Sequence, residues 1–510
     1  MLHSRRAAPA LLSREVSRHV THRSPTDDWS LSDPPEHPEE ACGVFGVYAP
    51  GEDVGKMTYF ALHALQHRGQ ESAGIAVADG HTLTVTKQLG LVAQAFKAHD
   101  LASFEGHIAI GHTRYSTTGS STSWENAQPM ISAVGHNTIA LAHNGNLVNT
   151  AELRDELKGN GVRFRSTTDS EVLASLVDHF TPEHHSMRAG IRETMKLVRG
   201  AYSTVLMSEQ ALYAFRDPYG IRPLVLGKLD DTGWVVASET CALDLVGAEY
   251  VRDVAPGEIV KLSAEGLEAE QAVPPQRASL CIFEFIYFAR PDSVLYDCTL
   301  YEARQRMGAA IARSAPVEAD IVIGVPDSGV PAATGYAQES GIPYGEGLAK
   351  NRYVGRTFIS PSQTLRQQGI RLKLNPLKHV IGGKRLVVVD DSIVRGNTTR
   401  KLVQLLREAG AAEVHMRITS PPVRWPCFYG IDTDSQEQLI ASYKSVDEIA
   451  AFIGADSLAY LSVEDMVAST GAVAERFCAA CFTGEYPVEI PDSVREGKMH
   501  LEACGAREDG

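Results

Sequence analysis

The sequence predicts two successive α/β domains, the first rich in antiparallel hairpins and the second built around a mostly parallel sheet. Three observations carry that expectation. Between Cys42 and Ser279 short strand-like runs recur with turn residues between them: "GIAVAD", "HTLTVTK", "HIAIGHTR", "TIALAHNG", "AYSTVLMS", "ALYAFRD", "GWVVASE" and "EIVKLSA". The rhythm breaks at "AVPPQ". Beyond it, "ADIVIGVPDSG" and "KRLVVVDDSIVRGNTTRKLVQLLREAG" each read as an apolar strand, a polar glycine-bearing loop and a helix. Continuous apolar strands followed by helices indicate a parallel sheet covered on both faces.

Length and composition agree with that division. At 510 residues, 44% apolar and 22% charged, the chain is long enough for several ordinary globular cores. A net charge of −15 excludes a broad nucleic-acid-binding face. Inside this acidic chain the basic stretches "KNRYVGRTF" and "LRQQGIRLKLNPLKH" point to a small anionic ligand. No run approaches the ~18–20 apolar residues of a membrane span; the richest, "CIFEFIYFA", is short and carries Glu284. Eight cysteines are few for this length and no secretory signal is evident, so a cytoplasmic protein without a disulfide scaffold is expected.

Residues 1–41 carry five arginines in the first 23 positions and then a Pro/Asp/Glu-rich tract. They read either as a targeting peptide or as a disordered propeptide removed by processing, and the acidic second half favours the propeptide. "CGVFGV" then starts the first strand, at Cys42. Helices are expected over Val54–Gln66 and Asp169–Phe180, the second led by the cap signature "STTDSE".

In the second half, "VVVDDSIVRGNTT" places two adjacent carboxylates, Asp390 and Asp391, at the end of a buried strand and just before a helix. Amides and hydroxyls at a helix N-terminus suit a phosphate monoester. Paired carboxylates suit ribose hydroxyls or Mg2+. The run resembles the phosphoribosyl-pyrophosphate (PRPP) fingerprint of type I phosphoribosyltransferases. That resemblance implies that Asp390 and Asp391 meet ribose and Mg2+, that Ser392 binds PRPP, and that Arg395, Gly396, Asn397, Thr398 and Thr399 hold the 5′-phosphate. The similar "VIGVPDSGVPAA" loop implies pyrophosphate contacts at Asp327 and a metal-contacting position at Ser328. The long basic segment Lys350–Leu377 resembles the loop that closes over PRPP, with Lys350 and Arg352 as pyrophosphate contacts.

The first half offers the nitrogen chemistry. "CGVFG", "LQHRGQESAGI", "GHTRYSTTG", "HNGNL" and "STTDSE", in that order, resemble a class II glutamine amidotransferase domain, an N-terminal-nucleophile hydrolase with an αββα sandwich. A thiolate suits attack on an amide. If Cys42 is the first residue, its own α-amine, with a reference pKa near 7.7–8.0, can take the proton. "HNGN" offers the Asn144 side chain and the Gly145 amide as oxyanion donors. The resemblance further implies Arg114 on the substrate α-carboxylate and Asp169 on its α-ammonium, with Arg68 near the glutamine site. Ala41 departs from the acidic residue expected before the nucleophile in such proteins.

Joined in this order, the halves resemble the glutamine PRPP amidotransferase family over residues 42 to about 487. Implied are a propeptide at 1–41, a glutaminase domain at 42–275, a phosphoribosyltransferase domain at 276–487 and a tail at 488–510. Also implied are ammonia transfer from glutamine to PRPP, purine-nucleotide feedback inhibitors of the AMP or GMP type, and a homotetramer. The segment Cys281–Ser293 is similar to the family's interdomain strand, with Tyr287 either lining a channel or packed in the core. The rivals are a glutaminase paired with a sugar isomerase and a PRPP-sensing regulator; the intact PRPP fingerprint and the complete glutaminase motif set argue against both.

The remaining cysteines point to a metal group. "RFCAACFTG" carries the pair Cys478 and Cys481, which alone fits zinc, redox or iron–sulfur use. With Cys427 and Cys281 the arrangement resembles the family's iron–sulfur subgroup, in which four thiolates hold a 4Fe–4S cluster. Zinc on the same four is the alternative. Cys241 and Cys298 are other ligands possible by composition.

Overall fold

The computed structural model describes residues 42–115, 123–134, 137–230, 233–351, 373–431, 433 and 435–495. The propeptide expected at 1–41, Arg352 with most of its basic segment, and the end of the tail lie outside the described residues.

Two antiparallel sheets form the first half. In the seven-stranded sheet, Gly43–Tyr48 is flanked by Ile108–Arg114 on one side and Gly233–Ala237 on the other. All six residues of Gly43–Tyr48 are buried, since the sheet is covered on both faces. The second sheet has six strands and includes Asn137–Leu147 beside Gly200–Met207. Between the sheets, Val44, Ile108 and Ile110 pack against Ala140, Val205 and Leu212. Each fully buried aliphatic side chain of this kind stabilises by about 1.5–3 kcal/mol. Helices Val54–Ala64 and Thr240–Val246 cover the outer face of the first sheet. Helices Asp169–His184 and Met187–Leu197 cover that of the second. The result is the four-layer αββα sandwich. Asp169–His184 starts where its cap predicts, with Thr168 Oγ1 accepting the Glu171 amide, but runs past Phe180 and carries Pro182 before ending at His185 with φ +51°.

The second half holds a four-stranded parallel sheet in the order Ile321–Gly324, Arg385–Asp390, Glu413–Ile418 and Ser457–Tyr460. Alternate residues face opposite sides. Val387 and Val389 pack beneath helices Leu300–Ser314 and Gly329–Ser340. Leu386 and Val388 pack beneath Asn397–Glu408 and Val446–Ile453.

One core runs across the junction: Val148, Ala201 and Ile221 from the first half meet Leu280–Ala289 and the helices of the second. Here the expectation of an interdomain strand is corrected. Only Leu280–Cys281 is extended, paired in parallel with Phe477–Cys478, and Glu284–Phe288 winds into a π-helical turn. The cause lies in its partners: Glu284 is drawn to the buried Arg68 and Arg222, while the Phe285 and Ala289 carbonyls accept from Arg304. Among the described residues no helix is long and apolar enough to cross a membrane.

Candidate functional site

The first centre forms where two strands end together. Gly43 lies opposite Thr113, and one step further brings Cys42 to Arg114. The Cys42 thiol donates to the Tyr115 carbonyl at 3.2 Å. Burial pushes it up to about 12, with Arg114 pulling it down and Glu71 and Asp169 pushing it further up. So held, the thiol is a neutral donor at pH 7 and needs a base to become a nucleophile.

Asn144 and Gly145 sit on the neighbouring sheet. Asn144 is fully buried, yet neither atom of its side-chain amide finds a hydrogen-bond partner among the described residues. A buried amide without a partner carries a large desolvation cost, and such groups are retained where a ligand uses them. Gly145 has φ +148°, and a Cβ there would lie 2.1 Å from the Ala201 carbonyl oxygen, so only glycine fits. Asp169 opens its helix with Oδ2 accepting the Leu147 amide at 3.0 Å, which ties that helix end to the strand bearing Asn144. Arg114 is buried, its guanidinium 3.9 Å from Glu71. Cys42, Arg114, Asp169, Asn144 and Gly145 thus gather at one end of the sandwich.

Arg68, expected near the glutamine site, is engaged by other groups of the chain. Its Nε donates to the Cys42 carbonyl at 3.2 Å, and its terminal nitrogens reach Glu239 at 2.6 Å and Glu284 at 2.8 and 2.9 Å. The guanidinium is therefore spent on two carboxylates and on the backbone of Cys42. Burial works against the Glu239 carboxylate, but His67 and Arg68 outweigh it and hold the group well below the usual range. The sequence reading missed Glu239, Glu284 and Arg222, none of which lies in a local motif with Arg68.

The second centre lies at the carboxyl ends of the parallel strands, where such folds bind ligands. Asp390 and Asp391 are both buried. Burial first, and Asp391 second, push the Asp390 carboxyl well above the ordinary carboxylate range. Asp391 accepts from Ser328 Oγ at 2.5 Å and from Ser392 Oγ at 2.6 Å, which brings the two expected loops together. Gly329 permits this approach, since a Cβ there would lie 2.5 Å from the Val389 carbonyl oxygen. Helix Asn397–Glu408 follows Gly396 at φ +82°, with no side chain capping its N-terminus and no acidic residue in its first turn. Arg395, Asn397, Thr398 and Thr399 surround that end, and the amides there suit an anion. Lys350 pairs with Asp327 at the rim. The oxygen-only donors, two carboxylates and Ser328, suit Mg2+, which takes one or two carboxylates and completes its shell with phosphate and water. Arg304, absent from the sequence reading, is buried, and burial lowers its guanidinium to about 10 while Asp391 acts to raise it. Tyr287, on the π-helical turn between the centres, is half-buried and packs edge-on to Phe288 at 5.6 Å.

The four expected cysteines line one small cavity. Parallel pairing sets Cys281 directly opposite Cys478. No carboxylate or imidazole lines that cavity. Among the described residues no three His, Cys, Asp or Glu groups are placed as a metal-ion site; an all-thiol lining suits either a 4Fe–4S cluster or zinc. Burial pushes Cys281 up to about 12 and Cys481 well above the usual thiol range, the neighbouring thiols raising Cys481 further. Four thiolates side by side are thus unfavourable without a bound cation. Cys241 and Cys298 lie elsewhere: Cys241 packs under the first sheet, and Cys298 takes Arg306 Nη2 at 2.8 Å.

Comparison with known proteins agrees with the two halves. A glutamine amidotransferase domain model matches residues 112–245 and a phosphoribosyl transferase domain model matches residues 300–419. An amidophosphoribosyltransferase of Synechococcus elongatus is 54% identical over 475 residues, covering 92% of this chain and 96% of the relative. One of Bacillus subtilis is 48% identical over 456 residues, 88% of this chain and 95% of the relative. The solved structure of the B. subtilis glutamine PRPP amidotransferase, complexed with ADP and GMP, aligns with a TM-score of 0.83 at 48% identity over 88% of this chain and 98% of that one. With both halves matched in order and full-length relatives at this identity, the chain belongs to the amidophosphoribosyltransferase family, enzymes of purine biosynthesis.

Proposed function

We propose that the reaction runs through two assigned sites. The observation that carries this reading is a single turn held from both centres. Arg68, bonded to the Cys42 carbonyl, grips Glu284, and Arg304, whose guanidinium interacts electrostatically with Asp391, grips the Phe285 and Ala289 carbonyls.

At the first site, removal of residues 1–41 frees the Cys42 amine, which accepts the thiol proton. The sulfur adds to the glutamine amide carbon, and the Asn144 side chain and Gly145 amide receive the oxyanion. Arg114 holds the α-carboxylate and Asp169 the α-ammonium. The carbon–nitrogen bond breaks to release ammonia, and water cleaves the thioester to glutamate. At the second site, Asp390 and Asp391 orient the ribose, Arg395 to Thr399 the 5′-phosphate, and Asp327, Ser328, Lys350 and Arg352 the pyrophosphate. Ammonia passes by Tyr287 under cover and bonds to the anomeric carbon as the bond to pyrophosphate breaks, giving 5-phosphoribosylamine. Asp390, Asp391 and Ser328 would hold Mg2+, which would supply charge neutralisation for the pyrophosphate. Catalysis there is mainly positioning.

The remaining assignments extend the same reading. Residues 42–275 and 276–487 act as the two domains, a homotetramer is the working assembly and the cytoplasm its location. Purine nucleotides inhibit, as the ADP- and GMP-bound relative suggests. The four thiolates of Cys281, Cys427, Cys478 and Cys481 hold a 4Fe–4S cluster whose role is to pin the C-terminal segment to the junction.

Two measurements test these assignments. Glutamate release is expected to require PRPP and to match pyrophosphate release one for one; glutamate formed without pyrophosphate would count against a two-site transfer. In anaerobically purified Cys481→Ser, the visible charge-transfer band is expected to vanish and the Tm to fall by roughly 5–10 °C. Stoichiometric zinc without a visible band in the unaltered protein would overturn the cluster assignment.

A further inference from the structure

The end of the strand carrying Asn144 is not held by its own domain alone. Asn146 Nδ2 donates to the Phe428 carbonyl at 3.0 Å, a bond between residues 282 positions apart. Two residues on, Gly430 has φ +110°, and a Cβ there would stand 3.2–3.3 Å from the Cα, carbonyl carbon and carbonyl oxygen of Gly145. On its other side Gly145 is closed by the Ala201 carbonyl, which a Cβ on Gly145 would meet at 2.1 Å. The Gly145 backbone is thus confined between Ala201 of its own sheet and Gly430 of the other domain.

The confining turn is itself fixed. The Cys427 amide donates to Thr433 Oγ1 at 2.7 Å and the Tyr429 amide to Cys427 Sγ at 3.4 Å. Tyr429 is buried and exchanges two hydrogen bonds with Val488: its hydroxyl donates to the carbonyl at 2.6 Å and accepts from the amide at 3.0 Å. Phe428 and Tyr429 both pack on Tyr486, with ring centroids 5.3 and 6.1 Å away. A rigid turn against a backbone that must present donors within ~0.5 Å is the arrangement a preorganised site requires.

We propose that the Phe428–Gly430 turn braces the oxyanion donors, so that Gly430 and Asn146 are positioning residues for glutamine hydrolysis. This rests on Asn144 and Gly145 being the oxyanion donors. Gly430→Ala pushes a methyl group onto Gly145 and strains a left-handed backbone; Asn146→Ala removes the side-chain bond from this strand end to the Phe428 carbonyl. Oxyanion donors act mainly in the transition state, so the loss belongs in kcat and not in KM.

The test uses mature full-length protein, checked by mass, and measures kcat and KM for glutamine beside ammonia-dependent synthesis with PRPP. Gly430→Ala and Asn146→Ala are each expected to lower glutamine-dependent kcat by ~10–100-fold, with KM and the ammonia-dependent rate within ~twofold of normal on the same grounds. Should Gly430→Ala not mature, Asn146→Ala, which leaves the backbone unstrained, decides alone. Normal glutamine-dependent kcat in Asn146→Ala, or an equal loss of the ammonia-dependent rate, overturns the brace. Asn144→Ala separates the premise: it is expected to cost ~100–1,000-fold in kcat. Full activity there sinks the oxyanion assignment, whereas its loss beside a normal Asn146→Ala sinks the brace alone.

Discussion

Cys42→Ala is expected to abolish glutamine-dependent synthesis, a loss of at least ~10⁴-fold as for removal of other nucleophiles, while leaving ammonia-dependent synthesis within ~twofold, because the parallel-sheet site does not use the thiol. The separation follows from the geometry. Cys42 lies at one end of the sandwich beside Arg114, whereas Asp390 and Asp391 end a strand of a different sheet. Ala keeps the strand Gly43–Tyr48 and leaves the Cys42 carbonyl, to which Arg68 donates, in place. The thiol is pushed up to about 12 by burial, so the base decides the rate near neutrality. A base acts unprotonated; glutamine-dependent rate is therefore expected to rise with pH through the amine's range near ~7.7–8.0. Assaying both nitrogen donors in parallel checks this, and an equal loss with ammonia would contradict it.

Asp390→Asn gives the opposite pattern. Both glutamine- and ammonia-dependent synthesis are expected to fall by ~100–1,000-fold, the scale of losing a preorganised electrostatic group. Stability should move the other way in the absence of Mg2+. The Asp390 carboxyl is raised well above its ordinary range, by burial and then by Asp391. A folded-state pKa above the unfolded value favours folding at low pH and costs stability as pH rises through that interval. At pH 7 the group burdens the metal-free fold, and neutral Asn relieves it with little change of shape. Tm measured at pH 7 without Mg2+ is thus expected to be higher in Asp390→Asn than in the unaltered protein, with the difference narrowing or reversing when Mg2+ is added. A lower Tm without Mg2+, together with intact ammonia-dependent synthesis, would remove Asp390 from the site.

Much of the fold was legible because sheets covered on both faces leave a plain trace. Gly43–Tyr48 and Leu386–Asp390 are uninterrupted buried runs next to the residues that carry chemistry. The PRPP loops were legible for a local reason, since strand, loop and helix start are contiguous in the chain. What escaped depends on distant partners. Arg68 sits in a motif, but its direction is set by Glu239 and Glu284, which lie 171 and 216 residues away. The interdomain segment looked extended because it is apolar and aromatic; its π-helical turn comes from Glu284 and Arg304, which no local pattern links. Cys478 and Cys481 announced themselves as a pair. Cys281 joins them only through the parallel pairing of Leu280–Cys281 with Phe477–Cys478.

The central claim is that the nucleophile is an N-terminal cysteine, and intact mass of the purified, active protein tests it most directly. The expected mass is that of a chain beginning at Cys42, with glutamine-dependent activity tracking the fraction of processed chain. Full glutaminase activity in protein whose mass begins at Met1 would contradict it.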